Sequence, residues 1–176
     1  MSYLSDKYKT HSLFDIVRIV FIQVCEGVHY LHSHNITNRD IKVDNILGRA
    51  TESAGNEIII VDFSTVRYKG NDDISYFPTG TPGFRGPEHQ FASTEGYSSK
   101  AADIWTIGMC MYTFYYEKLP FYGEDELEMD CKSKNDPLVF DEQCPKLLIE
   151  VITKMCKKEW KERIGIAEAL ELLKKQ

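Results

Sequence analysis

Apolar positions near the start of the chain follow the repeat of an amphipathic helix. From Ser12 to Leu31, apolar residues recur at steps of three and four, the spacing that places side chains on one face of an α-helix. These residues are Leu13, Ile16, Val17, Val20, Val24, Val28 and Leu31. Ser12 is followed three residues later by Asp15, a pair that is typical of a capping box. The pattern therefore predicts a helix that begins at Ser12 and buries one face.

Two short apolar runs after this helix predict a β-hairpin. The runs are Ile46-Leu47 and 58–61, and a polar stretch with two glycines separates them. An antiparallel pair returns the chain to its starting point, so the residues that flank the hairpin become neighbours. Asn45 precedes the first run and Asp62 follows the second, and both side chains carry oxygen. We therefore expect these two side chains to face one spot.

The rest of the chain reads as an irregular segment followed by helices. Residues 64–99 are rich in turn-forming residues and predict a long loop, which in a compact domain is usually functional. The 13 uncharged residues from Ile104 to Tyr116 predict a helix that is buried on all sides. A membrane span takes about 20 residues, so this stretch is too short for one. Pro145 opens a further amphipathic helix, and Ile166, Leu170 and Leu173 mark the last.

Composition and charge narrow the classes of protein that this pattern allows. With 176 residues and 43% apolar content, the chain can bury the core of one domain, which argues against disorder. Its 21 basic and 27 acidic residues give a net charge of −6, which argues against nucleic acid or an anionic membrane as the main partner. The five cysteines form no C-x-x-C pair and no apolar signal sequence precedes Ser12, so we expect free thiols and a cytoplasmic location.

Short motifs rich in Asp, Asn, Lys and Gly occur at intervals along the chain. They are Asn38-Arg39-Asp40-Ile41-Lys42-Val43-Asp44-Asn45, Asp62-Phe63-Ser64, Gly80-Thr81-Pro82 with Gly86-Pro87-Glu88, Asp103-Ile104-Trp105-Thr106-Ile107-Gly108, and the single residue Arg163. In order and spacing they resemble the H-R-D-[LI]-K-x-x-N, D-F-G, A-P-E and D-x-W-S-x-G motifs and the late arginine of eukaryotic protein kinases, serine/threonine type. One such motif is weak evidence, whereas five in register are strong.

The resemblance implies a mainly α fold with a small β-hairpin, namely the larger, C-terminal lobe of a protein-kinase-like fold. This lobe covers 12–176 and follows a polar leader at 1–11. It contains a catalytic loop at 38–45, a metal-binding motif at 62–64 and an activation segment at 62–88. The sequence has no G-x-G-x-x-G loop and no V-A-I-K strand, so we expect the N-terminal lobe that roofs the family's ATP site to be absent. ATP bound to this chain alone would then be exposed and weakly held.

The same resemblance implies a chemical role for five residues. In phosphoryl transfer the protein mainly positions the nucleophile and neutralises charge. By resemblance, Asp40 accepts or orients the hydroxyl of a protein substrate, and Lys42 offers a cation to the transferring group. Asn45 and Asp62 hold Mg²⁺ over the phosphates of ATP, which suits the preference of this ion for hard oxygen ligands. Leu47 is implied as a further contact of ATP.

Regulatory and docking residues are implied in the activation segment. Arg39 precedes the catalytic aspartate, as in kinases regulated by phosphorylation of this segment, where the guanidinium pairs with a phosphate. The candidate acceptors for an upstream kinase are Ser75, Tyr76 and Thr79, and the alternative is that they are solvated loop hydroxyls. Thr81 is implied in the turn that docks the substrate.

Three residues have an implied structural role. Glu88 and Arg163 resemble a buried ion pair that joins the activation segment to the helical core, and Asp103 resembles the residue that fixes the backbone of the catalytic loop. We expect His32 and His34 to pack and form hydrogen bonds beside that loop.

Two departures from the kinase motifs leave three hypotheses open. Asn38 replaces the motif histidine, and Ser64 replaces the glycine of D-F-G, whose backbone freedom it would restrict. Together with the expected absence of the N-terminal lobe, they allow two main hypotheses. In the first, the chain is the larger lobe of a serine/threonine kinase whose small lobe lies upstream, in a missing part of the chain or gene model. In the second, it is a lobe-only pseudokinase that binds partners. A third hypothesis is a kinase completed by another chain.

Overall fold

The computed structural model describes residues 11–51, 55–68, 70 and 72–175, so nearly all of the predicted leader lies outside the described residues. Its helices are α1 Leu13–Ser33, α2 Ala92–Glu95, α3 Ser99–Tyr116, α4 Glu126–Asn135, α5 Lys146–Met155 and α6 Ile166–Lys174. Its strands are β1 Ile36–Thr37, β2 Ile46–Thr51, β3 Gly55–Ile60, β4 Arg67–Tyr68, β5 Ile74–Ser75 and β6 Tyr97–Ser98. The predicted mainly helical fold is confirmed.

The core lies between α1, α3, α5 and α6. Helix α1 packs against α3 and α6, and α3 packs against α5. The predicted capping box is present, because the amide of Asp15 donates to the Ser12 hydroxyl and the amide of Ser12 donates to the Asp15 carboxylate. Helix α3 is buried along most of its length, with Trp105 and Ile107 wholly inside the core. This confirms the prediction of a helix buried on all sides, and no helix in the described part of the chain is long and apolar enough to cross a membrane.

The predicted hairpin is formed by β2 and β3, and it is longer than the apolar runs indicated. The pairing is antiparallel and places Ile46 opposite Ile60. Gly48 and Gly55, which we expected between the strands, lie within them. Two further antiparallel pairs, β1 with β4 and β5 with β6, were not predicted. They have two residues per strand, too few to show an alternating pattern.

Helix α4 was not predicted, and the reason is its polar sequence. Its residues show no apolar stripe, and only Ser133 is buried. The helix begins because the Asp125 side chain accepts a hydrogen bond of 2.8 Å from the amide of Glu128. Cys131 on this helix is exposed, whereas the other four cysteines are buried and free. Burial raises the pKa of the Cys25 and Cys156 thiols to about 12, which makes them unreactive at neutral pH.

Candidate active site

Asp103 on α3 fixes the start of the loop 38–45. Its carboxylate accepts the backbone amide of Asn38 at 2.9 Å and that of Arg39 at 2.7 Å. A ring nitrogen of His32, on α1, lies 2.9 Å from the same carboxylate. Asp103 is wholly buried, so these hydrogen bonds compensate for removing its charge from water. The loop is therefore anchored between the two central helices.

Three residues from two distant motifs meet beyond this anchor. The Lys42 ammonium lies 3.2 Å from one carboxylate oxygen of Asp40, and the Thr81 hydroxyl donates to the other at 2.7 Å. Lys42 also donates to the Thr81 hydroxyl at 3.1 Å. Thr81 is 41 residues from Asp40 in the chain. A carboxylate, an ammonium and a hydroxyl thus form one triangle, with the Asp40 and Lys42 side chains 14% and 23% exposed.

The hairpin brings Asn45 and Asp62 to the same end of the sheet. The carbonyl of Asn45 accepts the amide of Val61 at 2.8 Å, which makes Asp62 the next residue along. The Asn45 side chain is buried and donates its amide nitrogen to the Asp40 carbonyl at 3.2 Å, which leaves its oxygen as an acceptor. The structure thus places both predicted oxygen ligands beside the triangle.

Asp62 is exposed and has a left-handed backbone, with φ of +64°. One carboxylate oxygen, Oδ1, accepts the Ser64 hydroxyl at 2.6 Å and the Ser64 amide at 3.1 Å. These two hydrogen bonds, the hydroxyl before the amide, hold the pKa of Asp62 below its ordinary value. Among the described residues, no hydrogen bond or ion pair involves the second oxygen.

The donor set fits a hard cation of the Mg²⁺ type. The described residues contain no group of three or more His, Cys, Asp and Glu side chains that could hold a metal by themselves. The amide oxygen of Asn45 and the second carboxylate oxygen of Asp62 could instead supply two oxygen ligands. Mg²⁺ is commonly held in this way, by one or two protein oxygens with phosphates and water in its other positions.

Two apolar side chains near this end of the hairpin face solvent. Leu47 on β2 is 46% exposed and Phe63, next to Asp62, is 52% exposed.

Arg39 contacts two of the three predicted phosphate acceptors. Its guanidinium donates to the Ser75 hydroxyl at 3.4 Å and to the Thr79 hydroxyl. Ser75 is 1% exposed, whereas Thr79 is partly exposed. Tyr76 is 53% exposed, and in the described structure no hydrogen bond joins it to Arg39. The Nε atom of Arg39 is buried without a partner among the described residues, so the guanidinium has unused donor capacity.

Glu88 and Arg163 form a buried ion pair with two hydrogen bonds, at 2.7 Å and 2.6 Å. Burial alone would raise the pKa of Glu88, but the charge and hydrogen bonds of Arg163 hold it below its ordinary value. Arg163 also donates to the carbonyls of Ala101 and Lys157. Gly86 lies so close to the Glu88 carboxylate that a β-carbon there would collide with it. The pair joins the end of segment 62–88 to the helical core.

Arg85 is a site residue that the sequence did not reveal. Its guanidinium donates to the Asp130 carboxylate at 3.0 Å and also pairs with Glu126, both on α4. The hydrogen bonds that Arg85 donates to Asp130 are the main cause of its raised pKa. This contact fastens the turn that follows Thr81 to α4. No sequence signal could have found it, because α4 itself has no apolar pattern.

Comparison with known proteins places these features in one family. A family model described as the protein kinase domain matches residues 2–173, so the match begins within the predicted leader. Calcium/calmodulin-dependent protein kinase kinase of Caenorhabditis elegans is 36% identical over 149 residues, which cover 81% of this chain and 26% of that protein.

Relatives from a fungus and a plant show similar matches. Calcium/calmodulin-dependent protein kinase kinase cmkC of Emericella nidulans is 31% identical over 157 residues, covering 88% of this chain and 29% of that protein. Serine/threonine-protein kinase GRIK2 of Arabidopsis thaliana is 32% identical over 149 residues, covering 84% and 36%. The chain therefore spans well under half of the length of these relatives.

Proposed function

The chain belongs to the protein kinase domain family, and from that premise we propose that it is a serine/threonine kinase acting on protein substrates. The observation that carries the proposal is the triangle of Asp40, Lys42 and Thr81. It holds a carboxylate, a cation and a hydroxyl within hydrogen-bond distance of one another. Phosphoryl transfer depends on groups that are already positioned in this way to orient the nucleophile and neutralise charge.

Each member of the triangle has a part in the proposed reaction. The substrate Ser or Thr hydroxyl donates its hydrogen bond to Asp40, which orients the oxygen and receives its proton as the new O–P bond forms. The bond between the transferred phosphoryl group and ADP breaks in the same displacement. Lys42 neutralises charge that develops on the transferring group. Thr81 binds both Asp40 and Lys42 and so keeps their side chains together, and it lies in the turn on which the substrate docks.

Asn45, Leu47 and Asp62 are the proposed binding residues for ATP and its metal. The chemistry that ATP and Mg²⁺ supply is the transferable phosphoryl group and the neutralisation of its charge. Asn45 and Asp62 offer the metal one oxygen each, and Leu47 offers an apolar surface to the nucleotide base. Because Leu47 is 46% exposed in the described structure, we propose that the isolated chain holds nucleotide weakly and is impaired as a kinase.

Regulation by phosphorylation of the activation segment is a further part of the proposal. The contact of Arg39 with Thr79 supports Thr79 as the acceptor for an upstream kinase, because a phosphate there would meet a guanidinium already in place. Ser75 is buried, and no hydrogen bond among the described residues joins Tyr76 to Arg39, so both are weaker candidates. A cytoplasmic location suits the free cysteines and the supply of ATP.

A lobe-only pseudokinase that serves as a binding module is the alternative function. The exposed side chains of Leu47 and Phe63 favour it, because a partner protein could cover them. The two functions are separated by incubating the purified chain with ATP and Mg²⁺ and a mixture of Ser and Thr peptides. A kinase gives slow transfer that Asp62→Asn abolishes. If the wild-type chain transfers phosphate no faster than Asp62→Asn, the result contradicts the kinase function and favours the binding module. Rapid transfer by the wild-type chain contradicts the proposed impairment.

A further inference from the structure

The backbone amides of residues 38, 39 and 40 are all accepted by side-chain oxygens. Asp103 accepts the first two, and Oδ1 of Asn38 accepts the amide of Asp40 at 3.1 Å. Buried backbone donors outside helices and sheets need such acceptors, because an unpaired donor lowers stability. The amide beside the candidate reacting carboxylate therefore depends on the side chain of Asn38.

The hydrogen bond that the Asp40 amide donates to the Asn38 side chain spans an unfavourable backbone conformation. Arg39, between them, has φ of +73°, in the left-handed region that residues with a β-carbon seldom adopt. An asparagine oxygen that binds the amide two residues ahead forms an Asx turn, which stabilises tight turns of this kind. The turn fixes the direction in which the chain leaves Arg39. It thereby fixes the direction of the Asp40 side chain.

The other bonds of Asn38 show that its oxygen is the side-chain atom in use. The residue is wholly buried, and its amide nitrogen has no hydrogen-bond partner among the described residues. A buried amide nitrogen without a partner lowers stability, so the nitrogen is not the atom that makes asparagine useful at this position. Its backbone carbonyl accepts the Thr65 hydroxyl at 2.7 Å, which ties the residue to the segment after Asp62.

We propose that Asn38 is a positioning residue whose side-chain oxygen fixes the backbone at Asp40 and so holds the carboxylate against Lys42 and Thr81. The proposal rests on the proposed kinase function, in which Asp40 meets the substrate hydroxyl. This position holds histidine in the kinase motif, and in this chain the acceptor for the Asp40 amide is the side-chain oxygen of asparagine.

Three variants of the chain test the proposal. Asn38→Leu keeps nearly the same shape but removes both the oxygen and the unpaired nitrogen. Asn38→His restores an acceptor, because its Nδ1 is as many bonds from the backbone as Oδ1 of asparagine. Thr65→Val is the matched control, since it removes the side-chain hydrogen bond to the backbone carbonyl of Asn38 and leaves Oδ1 in place.

The measurements are amide hydrogen exchange by NMR, the unfolding midpoint in urea, and kcat with KM for ATP and peptide. In Asn38→Leu the Asp40 amide should exchange at least about tenfold faster, while the Asn45 amide, bonded to the Lys42 carbonyl, keeps its rate. We expect kcat to fall about tenfold with both KM values unchanged and with no lower midpoint, because the variant also removes an unpaired polar group. Asn38→His restores the exchange rate and kcat, and Thr65→Val changes neither.

A merely structural role predicts a different pattern. A lower midpoint with an unchanged exchange rate at Asp40 would overturn the proposal, and so would faster exchange with unchanged kcat. A wild-type chain that transfers no phosphate contradicts the proposed kinase function. In that case the exchange rate of the Asp40 amide still decides whether Asn38 holds this residue.

Discussion

The buried pair of Glu88 and Arg163 gives a prediction about stability whose magnitude follows from the structure. The variant Glu88→Gln keeps the shape of the side chain but leaves the Arg163 guanidinium, with a 0% exposed side chain, without its counter-charge. Removing one partner of a buried ion pair costs about 3–5 kcal/mol of unfolding free energy. Because Arg163 keeps its bonds to the carbonyls of Ala101 and Lys157, we expect a loss at the lower limit, about 3 kcal/mol.

The pH dependence of stability provides a second signature of the same pair. The pKa of Glu88 in the folded chain lies below its ordinary value, so its contribution is present above the ordinary glutamate pKa. The contribution is lost as the pH falls from there through the lowered pKa. In Glu88→Gln this part of the pH dependence disappears.

Urea denaturation of the wild-type chain and the variant measures this loss of unfolding free energy, with one slope of free energy against urea concentration fitted to both. The matched control is Lys132→Gln, which breaks an ion pair with Glu128 on α4 in which both side chains are more than a third exposed. An exposed pair of this kind contributes about 0.5 kcal/mol or less. If Glu88→Gln costs no more than Lys132→Gln, the ion pair does not stabilise the joint between segment 62–88 and the helical core, which contradicts the prediction.

Three further predictions concern the candidate site. Thr81→Val removes the hydroxyl that joins Asp40 to Lys42, so we expect kcat to fall by about tenfold, the value of one hydrogen bond to a charged group, with folding unchanged by circular dichroism. Ser64→Ala removes the main cause of the lowered Asp62 pKa, so carboxyl ¹³C NMR should show that pKa rising toward its ordinary value, and an unchanged pKa would contradict the assignment. Stoichiometric phosphorylation of Thr79 should slow proteolysis of segment 62–88, because the phosphate would bind Arg39. In Arg39→Gln, the phosphorylated and unphosphorylated forms should then be cleaved at equal rates.

The helices that the sequence predicted are those whose side chains meet the core in a regular pattern. Helix α1 shows both a capping box and an apolar stripe, and α3 is apolar on all sides because helices and loops cover it. Helix α4 has neither property. Its buried Ser133 and the acidic partners of Arg85 look like ordinary solvent-exposed residues in the sequence.

The site was predictable where the chain itself brings residues together. Asp40 and Lys42 are two residues apart, and the hairpin makes neighbours of Asn45 and Asp62. The contact of Thr81 with Asp40 was not predicted, because it depends on how a long irregular segment folds back; the family resemblance implied only that Thr81 lies in the turn that docks the substrate. The Asx turn of Asn38 and the left-handed Arg39 depend on backbone angles, which the sequence pattern does not reveal.

In the proposed function, Asp40, with Lys42 and Thr81, serves a phosphoryl transfer to protein hydroxyls. The most direct measurement is the rate at which the chain transfers phosphate from ATP and Mg²⁺ to Ser and Thr of a protein substrate, located by mass spectrometry, for wild type and Asp40→Asn. We expect slow but measurable transfer by the wild-type chain and, if the proposal holds, a loss of at least about a hundredfold in Asp40→Asn, the scale of general base catalysis. Equal rates in the two proteins would contradict it.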